Sequence, residues 1–168
     1  VTILDLTELA AELGERLLQL KQQVTTAESC TGGGIAEAIT RIAGSSAWFE
    51  AGFVTYSNVQ KTRLLGVPEY LFEKVGAVSR EVVEAMALGA QQESDAYFSV
   101  AVSGVAGPGG GSPQKPVGTV WLAWAAGDQL FARCFVFAGD RQAVREQSVE
   151  AALVGLIRLT DGENPLQG

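Results

Sequence analysis

Ser29 is the side chain on which chemistry is most readily built. It lies in Glu28-Ser29-Cys30-Thr31-Gly32-Gly33-Gly34, between the β-branched run Val24-Thr25-Thr26-Ala27 and a helical pattern over 35–42. A hydroxyl at such a strand–turn–helix junction sits beside a helix N-terminus. Glycines there let backbone N–H groups point at an anion or an oxyanion. The structural alternative is the commoner one for this residue pattern: Ser29 caps the helix and the glycines allow close packing. A dinucleotide fingerprint fits poorly, because Gly32-x-Gly34 is followed by Glu37 where a third glycine belongs. No Gly-Lys-Ser/Thr tripeptide exists, which excludes a P-loop.

A serine nucleophile needs a base, and the chain contains no histidine. Ser-His-Asp and Cys-His triads, imidazole acid–base chemistry and His-containing metal sites are therefore excluded. Glu28 is adjacent in an extended segment and points away from Ser29. Lysine is the alternative, provided that desolvation makes its neutral amine accessible. The four candidates are Lys21, Lys61, Lys74 and Lys115. Lys21 and Lys74 have polar surroundings and read as solvated surface, whereas Lys115 stands in a second glycine-rich segment and equally suits a phosphate. Lys61 follows the strand-like Gly52-Phe53-Val54-Thr55-Tyr56-Ser57 by one helical turn, although a surface lysine at a helix start is the commoner case. Cys30 is a rival nucleophile if its thiolate is stabilised; packed and inert is the commoner state. Arg141 and Arg145, spaced i, i+4, suit either a phosphate clamp or surface ion pairs with Glu146 and Glu150.

The elements that must position these residues follow from periodicity. Leu6, Leu9, Leu13, Leu17 and Leu20 share one helical face, with Thr7 or Asp5 as cap. Strands are expected over 49–57 and 97–103, and a hairpin over 117–126 and 129–137 around Ala126-Gly127-Asp128. Helices are expected from Asn58 as cap to Leu65 before Gly66, from Ser79 to about 91, and over 140–159. Residues 104–116, with five glycines and three prolines, form a loop between two strands. Strands alternating with helices predict a three-layer α/β/α sandwich with a mixed, mostly parallel sheet and a C-terminal β-hairpin. In such sheets the ligand crevice lies at the carboxyl ends of the parallel strands.

With 168 residues, 47% of them apolar, the chain is expected to form a single domain over 1–168 with an ample core. A net charge of −7 and no Lys/Arg cluster argue against nucleic acid as a partner. No signal peptide or apolar run of membrane length is evident, so no membrane partner and a cytoplasmic location are expected. Cys30 and Cys134 read as buried thiols. Trp48, Trp121 and Trp124 are candidates for the core or for a homo-oligomer interface.

Several ordered segments carry a family resemblance. Thr26-Ala27-Glu28-Ser29-Cys30-Thr31-Gly32-Gly33, Gly76-Ala77-Val78-Ser79, Ser103-Gly104-Val105-Ala106-Gly107-Pro108-Gly109-Gly110-Gly111, Lys115-Pro116-Val117-Gly118-Thr119-Val120 and Gly139-Asp140-Arg141 resemble the C-terminal domain of the competence-damage protein CinA. Tyr56-Ser57-Asn58-Val59-Gln60-Lys61 fits its tyrosine-serine-asparagine segment ending in lysine, and the likeness spans about residues 6–160. Stand-alone members of that family hydrolyse the carboxamide of nicotinamide mononucleotide, giving nicotinate mononucleotide and ammonia in pyridine-nucleotide salvage. The resemblance implies Ser29 as nucleophile, Lys61 as its base and Tyr56 close by, with a phenol that orders the proton transfers. It further implies backbone donors from Cys30, Thr31, Gly32 and Gly33, and a ribose-phosphate cradle from Ser103, Gly104, Gly107 and Gly109 with Arg141 and Arg145. It implies no metal and no cofactor. The alternative from another class is a non-catalytic nucleotide-binding regulatory module that keeps the glycine-rich cradles without needing Ser29 or Lys61 to react.

Overall fold

Asp5 opens the first helix: its Oδ1 accepts from the N–H groups of Thr7 at 2.8 Å and Glu8 at 3.2 Å. The computed structural model describes residues 5–167. In chain order they form α1 (Leu6–Leu20), β1 (Val24–Glu28), α2 (Gly34–Thr40), β2 (Phe49–Val54), α3 (Asn58–Leu65), α4 (Tyr70–Lys74), α5 (Arg80–Ser94), β3 (Phe98–Gly104), β4 (Thr119–Ala126), β5 (Gln129–Val136) and α6 (Arg141–Thr160). A 3₁₀ turn at Ser45–Ala47 precedes β2.

The strands make one sheet of order β2-β1-β3-β4-β5. β1 pairs parallel with β2 and β3, whereas β3–β4 and β4–β5 are antiparallel. The sheet is thus mixed and evenly divided, not mostly parallel. The cause lies in the connections: helices carry the chain back across the sheet before β2 and β3, whereas β4 turns directly into β5 at Gly127-Asp128. That hairpin is followed by α6, so the last described element is a helix and not the hairpin.

Side-chain size divides the two faces. Val100, Val102, Leu122 and Trp124 face α1, α2 and α6 in one core cluster. Ala27, Ala101, Ala123 and Ala125 face the other side, where they pack with α5 through Val83, Met86, Ala87 and Ala90. Small residues in the strands let α5 lie close to the sheet. The result is a three-layer α/β/α sandwich. Three expectations are corrected here. Leu20 ends α1 exposed and does not join Leu9, Leu13 and Leu17 in the core. Ser57, not Asn58, caps α3. Cys134, on the outermost strand β5, is exposed, while Cys30 is buried.

Gly89 seats α3 on α5: a Cβ there would lie 2.0 Å from the Leu65 carbonyl oxygen. Gly89→Ala gains helix propensity, about 1 kcal/mol, but forces a side chain against backbone. We expect a net loss of about 1–3 kcal/mol in denaturant unfolding.

Candidate active site

Three strand ends meet at one edge of the sheet. Glu28 of β1 is in register with Val54 of β2 and Val102 of β3. The Ser29 turn, residues 55–57 and the glycine-rich loop after Gly104 therefore border one cleft, a cavity of about 290 Å³. This is the crevice that open α/β sheets place outside their parallel strand ends.

Lys61 crosses the cleft to Ser29. Its Nζ donates to Ser29 Oγ at 3.1 Å and to the main-chain carbonyl of Tyr56 at 3.1 Å. Ser29 Oγ itself lies 3.5 Å from that carbonyl. The helix makes this reach possible: Ser57 Oγ caps α3 through Gln60 N–H at 3.2 Å, and Lys61 sits one turn in, facing the sheet. Only 1% of Lys61 is exposed. Burial lowers its pKa from the ordinary lysine value, opposed in part by the nearby Cys30. An amine so placed, in its neutral form, can accept a hydroxyl proton as a general base does.

The turn that carries Ser29 is held from below by its neighbour. Glu28 is fully buried. Its carboxylate accepts from Thr31 Oγ1 at 2.6 Å, from Ile35 N–H at 2.8 Å and from Ala36 N–H at 3.0 Å. It therefore caps α2, whose N-cap residue Gly33 offers no side chain, and an anion there complements the helix dipole. Gly32 and Gly33 have φ of 59° and 106°, a left-handed backbone that a side chain would strain. Gly32 and Gly34 N–H donate back to Ser29 and Thr31 carbonyls, both at 3.0 Å.

The cleft gathers most of the expected residues. Ser29, Cys30, Tyr56, Lys61, Ser103, Gly104, Gly107, Gly109 and Arg141 all line it. Thr31, Gly32, Gly33 and Arg145 do not. Arg145 instead donates to the carbonyls of Cys30 at 3.2 Å and Thr31 at 3.1 Å, bracing the Ser29 turn from behind. With Thr31 it borders a separate groove of about 480 Å³ beside α2 and α6. Arg141 borders both cavities, donating to Gly107 O at 2.8 Å and to Tyr56 Oη at 3.0 Å. The Tyr56 phenol is thus tied to Arg141 on a residue 60% exposed, and it is the Tyr56 carbonyl that accepts from Lys61 Nζ. Lys115 is occupied elsewhere, with Nζ 2.7 Å from Val75 O. Burial pushes the Cys30 thiol up to about 11, so it stays protonated near neutral pH. Asn58, which the sequence reading had as a helix cap, also lines the cavity. Among the described residues no group of three or more metal-ligating side chains is placed to hold an ion, and no helix is long and apolar enough to cross a membrane.

A serine and a buried lysine at the strand ends of a mixed α/β/α sandwich define a hydrolase-type site. Residues 6–160 match the model of the CinA C-terminal domain, and the chain belongs to that family. It is 70% identical over 154 residues to the nicotinamide-nucleotide amidohydrolase PncC of Pseudomonas putida, covering 92% of this chain and 96% of that one. It is 52% identical over 150 residues to the protein of the same name from Escherichia coli K12, covering 89% and 91%. Among solved structures, the competence/damage inducible protein CihA of Agrobacterium tumefaciens superposes with a TM-score of 0.90 at 46% identity, over 92% of this chain and 94% of that one.

Glu28→Ala would leave Thr31 Oγ1 and two helix amides without their acceptor. Buried groups left unpaired cost about 1–3 kcal/mol each. Equilibrium unfolding should therefore show Glu28→Ala destabilised by at least about 2 kcal/mol.

Proposed function

We propose that the chain, working as one domain, is an amidohydrolase that converts nicotinamide mononucleotide to nicotinate mononucleotide and ammonia in pyridine-nucleotide salvage. The observation that carries the reading is the 3.1 Å contact between Ser29 Oγ and the buried Lys61 Nζ in the lining of the cleft. The relatives' names, at up to 70% identity, supply the substrate.

Lys61 takes the proton of Ser29 as Oγ attacks the carboxamide carbon. The C–N bond of the tetrahedral intermediate then breaks as Lys61 delivers that proton to the leaving nitrogen, releasing ammonia and leaving an acyl ester on Ser29. Lys61 next deprotonates a water, which attacks the ester. The proton returns to Ser29 as nicotinate mononucleotide departs. Ser29 N–H is committed to Val102 O at 3.1 Å, and Gly32 and Gly34 N–H to their own turn. Cys30 borders the cleft directly after the nucleophile, so its amide is the proposed donor to the developing oxyanion. Arg141 holds the Gly107 segment and Tyr56 around the substrate and, as a cation lining the cleft and bonded to the glycine-rich loop, takes its phosphate side.

Ammonia release measured with nicotinamide mononucleotide should fall about a thousandfold or more in Ser29→Ala. Lys61→Arg should fall as far, because a guanidinium does not give up its proton. Full activity in either variant, or binding of the nucleotide without turnover by the wild type, would sink the dyad. The pH profile follows from Lys61. Activity needs its neutral amine, and burial lowers its pKa, so kcat/KM should rise with pH to a plateau. The midpoint of that rise should lie below the ordinary lysine value of about 10.4.

A further inference from the structure

We propose that Asn58 reads the carboxamide of the substrate and discriminates it from the carboxylate of the product. The inference rests on the amidohydrolase reading above and adds a specificity-determining residue to it. α3 begins at Asn58, but Ser57 performs the capping. A residue type that caps helices well is thereby left out of that task. Asn58 lines the Ser29 cavity and stands three residues before Lys61, a spacing that shares one face of α3. The cationic side chains at the cavity are already engaged. Lys61 bonds Ser29 and the Tyr56 carbonyl, and Arg141 bonds Gly107 O and Tyr56 Oη.

An asparagine side chain presents a donor and an acceptor in one plane. A primary carboxamide offers the matching acceptor and donor, so two hydrogen bonds form. They also turn the amide so that its nitrogen is fixed with respect to Lys61. A carboxylate has no hydrogen to give. Asn58 Oδ1 would then face a lone pair, and one bond is replaced by repulsion. This discrimination matters because of what else surrounds the cleft. Arg141, and Lys61 whenever it is protonated, attract an anion, so without a neutral reader the product would be held more firmly than the substrate. Asn58 offsets that bias through hydrogen-bond polarity and carries no charge of its own.

The test is steady-state kinetics on the full chain, with nicotinamide mononucleotide as substrate and nicotinate mononucleotide as product inhibitor, for wild type, Asn58→Ala and Asn58→Asp. Asn58→Ala should raise the ratio of substrate KM to product Ki by about fivefold or more, the worth of one hydrogen bond lost to the substrate alone. Asn58→Asp should weaken product inhibition by at least about fivefold through charge repulsion, while substrate KM changes less. Asn58 is exposed, so both variants should unfold at the wild-type midpoint. If Asn58→Ala fails to fold, the Asn58→Asp comparison decides by itself. Turnover with a KM to Ki ratio within about twofold of wild type in the folded variants overturns the inference alone. A wild type inert towards nicotinamide mononucleotide overturns the amidohydrolase reading, and this inference with it.

Discussion

An amine taken out of water holds its proton less firmly than a solvated one, because burial penalises the ammonium more than the free base. Lys61 is such an amine, and the surrounding structure is arranged to keep it dry and still hydrogen-bonded. α3 brings it to the sheet one turn after a Ser57 cap, and α5 receives α3 closely because Gly89 offers no side chain to the Leu65 carbonyl. The Tyr56 carbonyl and Ser29 Oγ supply its partners. An unpaired buried amine would cost several kcal/mol or would drive the helix outward. A paired one stays in place beside Ser29 Oγ, with its free-base form favoured by burial.

The opposite wall needs rigidity of a different kind. Ser29 sits on a turn with two left-handed glycines, a backbone with no intrinsic stiffness. Glu28 stiffens it from the sheet side by gathering Thr31 and the first amides of α2. Arg145 does so from α6 by holding the Cys30 and Thr31 carbonyls. Arg141 ties the β2–α3 connection to the glycine-rich loop. Their bonds to carbonyls and a phenol leave the two guanidinium charges in place. A chain of net charge −7 thus keeps one guanidinium, that of Arg141, at its cleft, with that of Arg145 behind the Ser29 turn.

Much of this was legible in the residues. Strand and helix positions followed from periodicity, and the absence of histidine left the four lysines among the candidate bases, beside carboxylates, tyrosines and cysteines. The Ser29–Lys61 pairing itself needed the family resemblance, because nothing local in Asn58-Val59-Gln60-Lys61 reports that the fourth residue faces inward. Glu28 was read as pointing away from Ser29. Its task as a cap for α2 is non-local in register, seven and eight residues ahead, and no capping pattern of adjacent residues encodes it. Ser57 and Asn58 are both good caps, and which of them serves depends on where β2 ends. Tyr56 was read through its phenol, but the carbonyl makes the contact, because main-chain groups are invisible to a reading by side-chain type. The proportion of parallel strands depended on which connections crossed the sheet.

A base at this position must also tolerate the acid it becomes. In the proposed mechanism, Lys61 acquires a full charge in the same buried place as it takes the Ser29 proton, and desolvation then opposes the very step it would assist. The Tyr56 carbonyl is the compensating element. It accepts from Nζ in either protonation state, and its bond strengthens when the donor is charged. As the amine becomes ammonium, the neighbouring Ser29 oxygen loses its hydrogen and gains negative character in attack, so the two charges arise side by side and largely offset each other. The penalty therefore falls on the resting ammonium, when Ser29 is still neutral, more than on the transition state. In the proposed mechanism, that difference is what burial of Lys61 would contribute to catalysis.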